Sequence, residues 1–172
     1  MQTQPSPNPG QEKDSTSGQF LTFILDNEEY AIEILRVQGI QGWDRVTPIP
    51  NTPEFILGVI NLRGSIVPIL ELRRRFELPS IDFGPTTVVI IVKILDNGNE
   101  RTLGIVVDAV SEVYSLPLDE VRPPPEFSND KNLEFVKGIA TVDDKMLILL
   151  DVDSLLGDGS FRQLNTPIEE VA

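Results

Sequence analysis

Two carboxylate pairs, Asp143-Asp144 and Asp151 with Asp153, are the side chains of this chain that could do general acid–base chemistry. Their settings argue against it. Asp143-Asp144 stands before Lys145 and an apolar run, which suits a hairpin turn. Asp151-Val152-Asp153-Ser154 lacks the glycine and terminal glutamate of a calcium loop. An acceptor there would instead satisfy open backbone N–H groups at a helix start. The chain has no cysteine and no histidine. That excludes thiolate and imidazole metal sites, Cys-His and Ser-His-Asp nucleophile systems, and disulfides. No glycine-rich phosphate loop is present, and Gly157-Asp158-Gly159-Ser160 reads as a turn. A carboxylate-based hydrolase is the enzyme reading that survives, without a convergent acid pair to support it.

The charged residue with most to say is Arg63. It sits between two apolar runs in Gly58-Val59-Ile60-Asn61-Leu62-Arg63-Gly64-Ser65-Ile66-Val67-Pro68-Ile69-Leu70. A planar, five-donor guanidinium there can brace the fold or dock on a partner. The same apolar frame returns eighty residues later: Phe135 repeats Phe55, Gly138 repeats Gly58, and Met146 to Leu150 repeat Ile66 to Leu70. In the copy, Asp143-Asp144 replaces Arg63-Gly64, so the frame reads as fold and the arginine as a specialisation. Pro68 within a strand predicts an edge or a bulge. Trp43, the single tryptophan, fits either core packing or an exposed anchor.

The elements that must hold these residues are short, rich in Val, Ile, Leu and Thr, and broken by turn residues every eight to twelve positions. That pattern predicts a mainly β fold, a sandwich or barrel. Expected strands are 19–25, 30–34, 86–95, 101–107 and 110–116, with turns at Asp26-Asn27-Glu28-Glu29 and at Asp96-Asn97-Gly98-Asn99, where Asn-Gly supplies the positive φ angles of a tight hairpin. Ile24-Leu25-Asp26-Asn27 resembles Ile94-Leu95-Asp96-Asn97, so this hairpin is repeated too. The order is A–B–A′–B′, two similar half-domains of about five strands each. Helical pieces are expected from Thr52-Pro53, over Glu71 to Leu78 and over Val152 to Leu156.

With 172 residues, 40% of them hydrophobic, the chain suits one domain or two small lobes sharing a core. The net charge of −13 repels nucleic acid and anionic lipid. The densest basic run, Arg73-Arg74-Arg75, is bracketed by Glu71 and Glu77 and reads as a solvated helix face. Residues 1–18 are polar and expected to be a disordered tail, as are the acidic residues 157–172; the domain is expected at 19–156, with lobes at roughly 19–78 and 86–156 and strand exchange between them possible. No apolar run is long enough to span a bilayer, and no signal-peptide core precedes the domain, so the chain reads as cytoplasmic.

Several ordered motifs match a known family. Asp26-Asn27-Glu28-Glu29-Tyr30, Ile34-Leu35-Arg36-Val37-Gln38, Asn51-Thr52-Pro53 and Gly58 to Gly64 are followed by Thr87-Val88-Val89-Ile90, Gly104-Ile105-Val106-Val107-Asp108, Val121-Arg122-Pro123 with Pro125-Glu126-Phe127, and Met146-Leu147-Ile148-Leu149. Together they resemble the CheW family of bacterial chemotaxis coupling proteins. The resemblance implies two intertwined five-stranded SH3-like β barrels with a few short helices. It implies a non-catalytic adaptor without cofactor or metal, a monomer on its own. Its implied partners are the cytoplasmic hairpin tips of chemoreceptors and the regulatory domain of the histidine kinase CheA, in membrane-associated receptor arrays. A CheW-like scaffold of a non-flagellar chemosensory pathway fits the same residues. Carried over position by position, the partner-binding residues are Val37, Gly58, Arg63, Gly64 and Val88. The match departs at Gly39, where relatives place an acidic residue able to pair with the motif's arginine; Arg63 here takes another partner or stays solvated.

Overall fold

The computed structural model describes residues 17–125 and 134–156. Residues 1–16 and 157–172, with the turn expected at Gly157 to Ser160, lie outside the described residues, as do Glu126 and Phe127 of the family motif. Ten strands form: β1 (Ser17–Leu25), β2 (Glu28–Glu33), β3 (Val37–Gly42), β4 (Ile56–Leu62), β5 (Ser65–Glu71), β6 (Val88–Asp96), β7 (Asn99–Val107), β8 (Ala109–Pro117), β9 (Val136–Val142) and β10 (Lys145–Leu150). The one short α-helix among the described residues, α1, spans Leu72–Arg75. Ser17 and Gly18, assigned to the tail by sequence, open β1 and pair with Pro117 and Leu116.

Four hairpins organise the strands, and each turns on two successive residues of positive φ: Asp26-Asn27, Arg63-Gly64, Asn97-Gly98 and Asp143-Asp144. This geometry matches the right-handed twist of the flanking strands and selects Asn, Asp and Gly. Arg63 is the exception in residue type. Its φ of 54° is tolerated beside Gly64, whose backbone N–H is accepted by the Asn61 side-chain oxygen at 2.8 Å. The turn places Asn97-Gly98 where Asp26-Asn27 stands, one residue along from the match drawn on sequence.

The strands assemble into two five-stranded sheets, ordered β8-β1-β2-β10-β9 and β3-β6-β7-β5-β4. The architecture is mainly β, two intertwined SH3-like barrels. Neither barrel is one half of the chain. The first takes β1 and β2 from the first half and β8 to β10 from the second; the second barrel takes the complement. In each, a parallel pair inside the sheet joins strands from the two halves of the chain, Glu29–Ala31 with Leu147–Leu149 in one and Gly104–Val106 with Ile69–Glu71 in the other.

Alternation along the strands sorts side chains between three cores. Val89 and Ile91 of β6 face the interior of the second barrel with Val67 and Ile69, while Ile90, Val92 and Ile94 face the other way. There they meet Leu21, Phe23 and Leu25 of β1, Ile32 of β2 and Leu70 of β5 in a core shared by both barrels. Phe20, Ala31, Leu147 and Leu149 fill the first barrel. A single period-two strand therefore serves two cores, which is why these segments are apolar on both faces.

Pro68 sits in β5, an interior strand, not at a sheet edge. Its partner Val59 uses its own N–H and C=O on Thr47, both at 2.9 Å, so the Val59–Pro68 pair exchanges no ladder bonds. The proline nitrogen then points toward β7, whose pairing with β5 begins only at Ile69. No ladder bond is lost. The expected helix at Thr52-Pro53 does not form. Ile56 N–H bonds Pro53 O at 2.9 Å, and β4 begins at once because Ile56 pairs with Leu70. The two other helical segments shrink to α1 and a 3-10 turn at Val152–Ser154.

Candidate functional site

The carboxylates considered for catalysis are structural. Asp143-Asp144 forms the exposed β9–β10 turn. Asp151 caps the turn that follows β10, accepting from Asp153 N–H at 3.1 Å and from the Ser154 hydroxyl at 2.8 Å. Asp153 forms a two-pronged pair with Arg36, at 3.0 and 2.8 Å, and accepts Leu95 N–H at 2.7 Å. Arg36 also donates to Lys93 O at 3.2 Å. This pair ties the β2–β3 crossover to β6 and to the end of β10, across the seam between barrels.

The arginine run is the clearest correction to the sequence reading. Only Arg74 stands on a solvated face; Arg73 and Arg75 turn into the fold. Arg73 is buried and holds Asp108 through Nε (2.9 Å) and Nη2 (2.6 Å), while Nη1 donates to Pro79 O at 2.7 Å. Asp108 Oδ2 also accepts Asp26 N–H at 2.9 Å, so β1–β2, β7–β8 and α1 meet on one carboxylate. Burial alone would raise the Asp108 carboxyl, but the hydrogen bonds from Arg73 and Asp26 and the Arg73 charge hold it below the ordinary carboxylate range. Arg74 Nε pairs with buried Glu71 at 2.7 Å. Burial nevertheless raises the Glu71 carboxyl, with Arg74 and Arg73 opposing it. Arg75 lies between Phe55 and Phe135 and donates to Leu155 O at 2.6 Å.

Val37, Gly58 and Val88 lie in strands of the second sheet, and Arg63 and Gly64 form the turn joining its β4 and β5. Val37 and Val88 lie at opposite ends of the β3–β6 pair, opposite Val92 and Gly42 respectively; both are half-buried against the shared core. Gly58 answers a backbone need: a Cβ there would lie 2.2 Å from Thr47 O, and its φ is 152°. The repeat preserves this, since a Cβ on Gly138 would lie 2.8 Å from Arg122 O, in the matching Arg122–Ile139 bridge. Arg63 and Gly64 are exposed at the β4–β5 turn, and Arg63 makes no hydrogen bond or ion pair among the described residues.

Arg63 faces β3 across a groove of about 640 Å³, lined by Gln38 to Gln41 on one side and Leu62, Arg63 and Ser65 on the other. The structure thus brings Arg63 and Gly39 to one groove, with Val37 just beyond it and Gly58 and Val88 outside its lining. The seam between barrels is filled by the shared core, so any partner there meets its rim. On that rim stand Leu35, 92% exposed in the 3-10 turn Ile34–Arg36, and Leu95, 45% exposed. Both flank the Arg36–Asp153 bracket. Sequence reasoning did not single them out; a leucine next to an arginine at a strand end gives no periodic signal. Trp43 is half-buried, its ring edge-on to Phe83 at 4.4 Å, capping the second barrel's core.

Comparison with known proteins agrees in one direction. The family model described as the CheW-like domain matches residues 19–160. The chain is 49% identical over 142 residues to the chemotaxis protein CheW of Klebsiella aerogenes, covering 82% of this chain and 83% of that protein. It is 31% identical over 140 residues to the probable chemotaxis protein CheW of Rhizobium etli, covering 81% and 88%. Among solved structures it resembles the scaffolding protein TtCheW of Thermoanaerobacter tengcongensis, with a TM-score of 0.74, 36% identity and coverage of 83% of this chain and 94% of that one.

Proposed function

The chain belongs to the CheW family of non-catalytic chemotaxis scaffolds, and from that premise we propose that it couples the cytoplasmic hairpin tips of chemoreceptors to the regulatory domain of the histidine kinase CheA. No helix among the described residues is long and apolar enough to cross a membrane. Its place at receptor arrays would come from these partners.

The observation that carries the reading, beside the family match, is the apolar rim next to Val37. Leu35 is almost fully exposed, yet its neighbours Arg36 and Val37 are held by an ion pair and by the shared core. An exposed apolar side chain carried on a backbone held at both neighbours offers a contact for a helix face. In this proposal Leu35, Leu95 and Val37 meet the receptor helices along the seam. Arg63 with the turn at Gly64 serves the face of the second barrel, where Val88 and the Gly58 frame hold the sheet in shape. Single contacts of this size are weak, and arrays strengthen them through multivalency.

The test is a titration of isotope-labelled protein with a receptor hairpin fragment and, separately, with the kinase regulatory domain. Receptor-induced shifts should centre on residues 34–37 and 95, and Leu35→Asp should weaken that fragment roughly tenfold while leaving the kinase domain bound. Shifts confined to other faces, or unaltered binding by Leu35→Asp, would sink the seam assignment.

A further inference from the structure

We propose that the groove between β3 and the β4–β5 turn takes an acidic side chain on an extended segment of a partner protein, its carboxylate seated on the Arg63 guanidinium. This deepens the adaptor reading of the same face and rests on it for the partner being a protein.

Four observations converge. First, most of the described cations are employed elsewhere. Arg36, Arg73, Arg74, Lys93, Arg101, Lys137 and Lys145 each face a carboxylate, and Arg75 bonds a carbonyl. Arg63, like Arg45 and Arg122, has no such partner among the described residues, but of these three it alone lines this groove, on a chain of net charge −13. Second, Arg63 is the one charge in the groove lining; Gln38, Gln41, Ser65 and Thr102 add hydrogen-bonding groups without charge. The other open cavity differs, since Arg122 shares its lining with Glu120.

Third, there is room on the β3 wall of the same groove. A Cβ built on Gly39 meets no atom within 4 Å. Fourth, the geometry is held in advance. The tight turn and the Asn61–Gly64 hydrogen bond fix the backbone of Arg63, so less ordering is needed on binding. β3 also lies at the edge of its sheet, bonded to β6 alone, so an extended segment can run beside it. An unpaired guanidinium on a held backbone, among uncharged neighbours, is selective for an acidic side chain.

The probe is the pentapeptide acetyl-Thr-Val-Glu-Val-Thr-amide, titrated to millimolar concentration against labelled full-length protein, beside its Gln counterpart. The Glu peptide should shift the amides of Gly39, Gln41, Gly64 and Ser65, and the Gln peptide should bind at least ~10-fold more weakly. Gly39→Glu, which supplies an internal carboxylate where space exists, should suppress Glu-peptide binding to the same degree, and Gly39→Gln should not. Equal binding of the two peptides, no shift at these amides, or equal effects of Gly39→Glu and Gly39→Gln would overturn the proposal. Receptor-fragment and kinase-domain binding are measured on the same samples. If those persist while the peptide fails, the groove assignment falls and the adaptor reading stands; the reverse pattern removes the adaptor reading alone.

Discussion

Phe55 and Phe135, eighty residues apart and equivalent in the repeat, take the same guanidinium between their rings: Arg75 lies 4.4 Å from one centroid and 4.5 Å from the other. The backbone repeats the relation, since Phe55 O accepts Glu71 N–H and Phe135 O accepts Asp151 N–H, each at 2.8 Å. Arg75 itself is not duplicated. Its equivalent is Leu155, whose carbonyl it bonds. One arginine from the first half thus joins both halves at the place where their frames face each other.

Arg75→Ala should therefore lower stability by about 2–3 kcal/mol, from two cation–π faces and one charged hydrogen bond. Arg75→Lys should recover only part, because a compact ammonium cannot cover two rings at once. Urea denaturation of the three proteins checks this. An unchanged midpoint for the alanine variant would mean the stack contributes nothing.

Acid should act through Asp108. Its folded carboxyl lies below its ordinary value, so the stability it adds is present above the unfolded value of ~3.9 and fades as pH falls through the folded one. Glu71 is raised by burial, so its contribution has the opposite sign: present at low pH and lost as pH rises through its folded value. Asp108→Asn should flatten the loss of stability below about pH 4. At neutral pH it should cost about 3 kcal/mol, because it strands a buried Arg73. Glu71→Gln should leave neutral-pH stability equal or higher. Denaturant midpoints from pH 2 to 7 separate the two.

The glycines of the two frames should rank by their surroundings. Gly58→Ala and Gly138→Ala force a Cβ into backbone oxygen and should cost more than about 2 kcal/mol. Gly64→Ala has open space and strains only its φ of 89°, so about 1 kcal/mol is expected. Thermal melts give the order directly. A Gly64→Ala variant less stable than Gly58→Ala would contradict it.

Arg63→Ala should change stability by less than about 0.5 kcal/mol, since the side chain is solvated and unpaired. Any binding loss then belongs to the interface. Val37→Asp is a poorer probe, because Val37 packs on the shared core and loses stability as well; Leu35→Asp is the cleaner change. A melt beside each binding titration distinguishes them.

Much of this molecule is local and was legible in its residues. Short apolar runs broken by turn residues placed most strands though not β3, Asn-Gly and Asp-Asn marked hairpin turns, and the recurrence of Gly58 at Gly138 marked a repeated frame. Lack of cysteine and histidine removed whole classes of chemistry. Alternation says which face of a strand is buried, but not against which strand. The exchange of halves, with β1 and β2 completed by β8 to β10, was decided by long-range pairing and by cores that one strand serves on both faces. The same holds for charges. Arg73 and Arg75 read as solvated because their neighbours in sequence are acidic, which holds for Arg74 with Glu71, yet Asp108 reaches Arg73, and Phe55 and Phe135 reach Arg75, only through the fold. Arg63 is the converse case. Its turn could be read from the residues, whereas its solvation beside Gly39 depends on where two sheet edges leave a gap, a distance that no local pattern encodes.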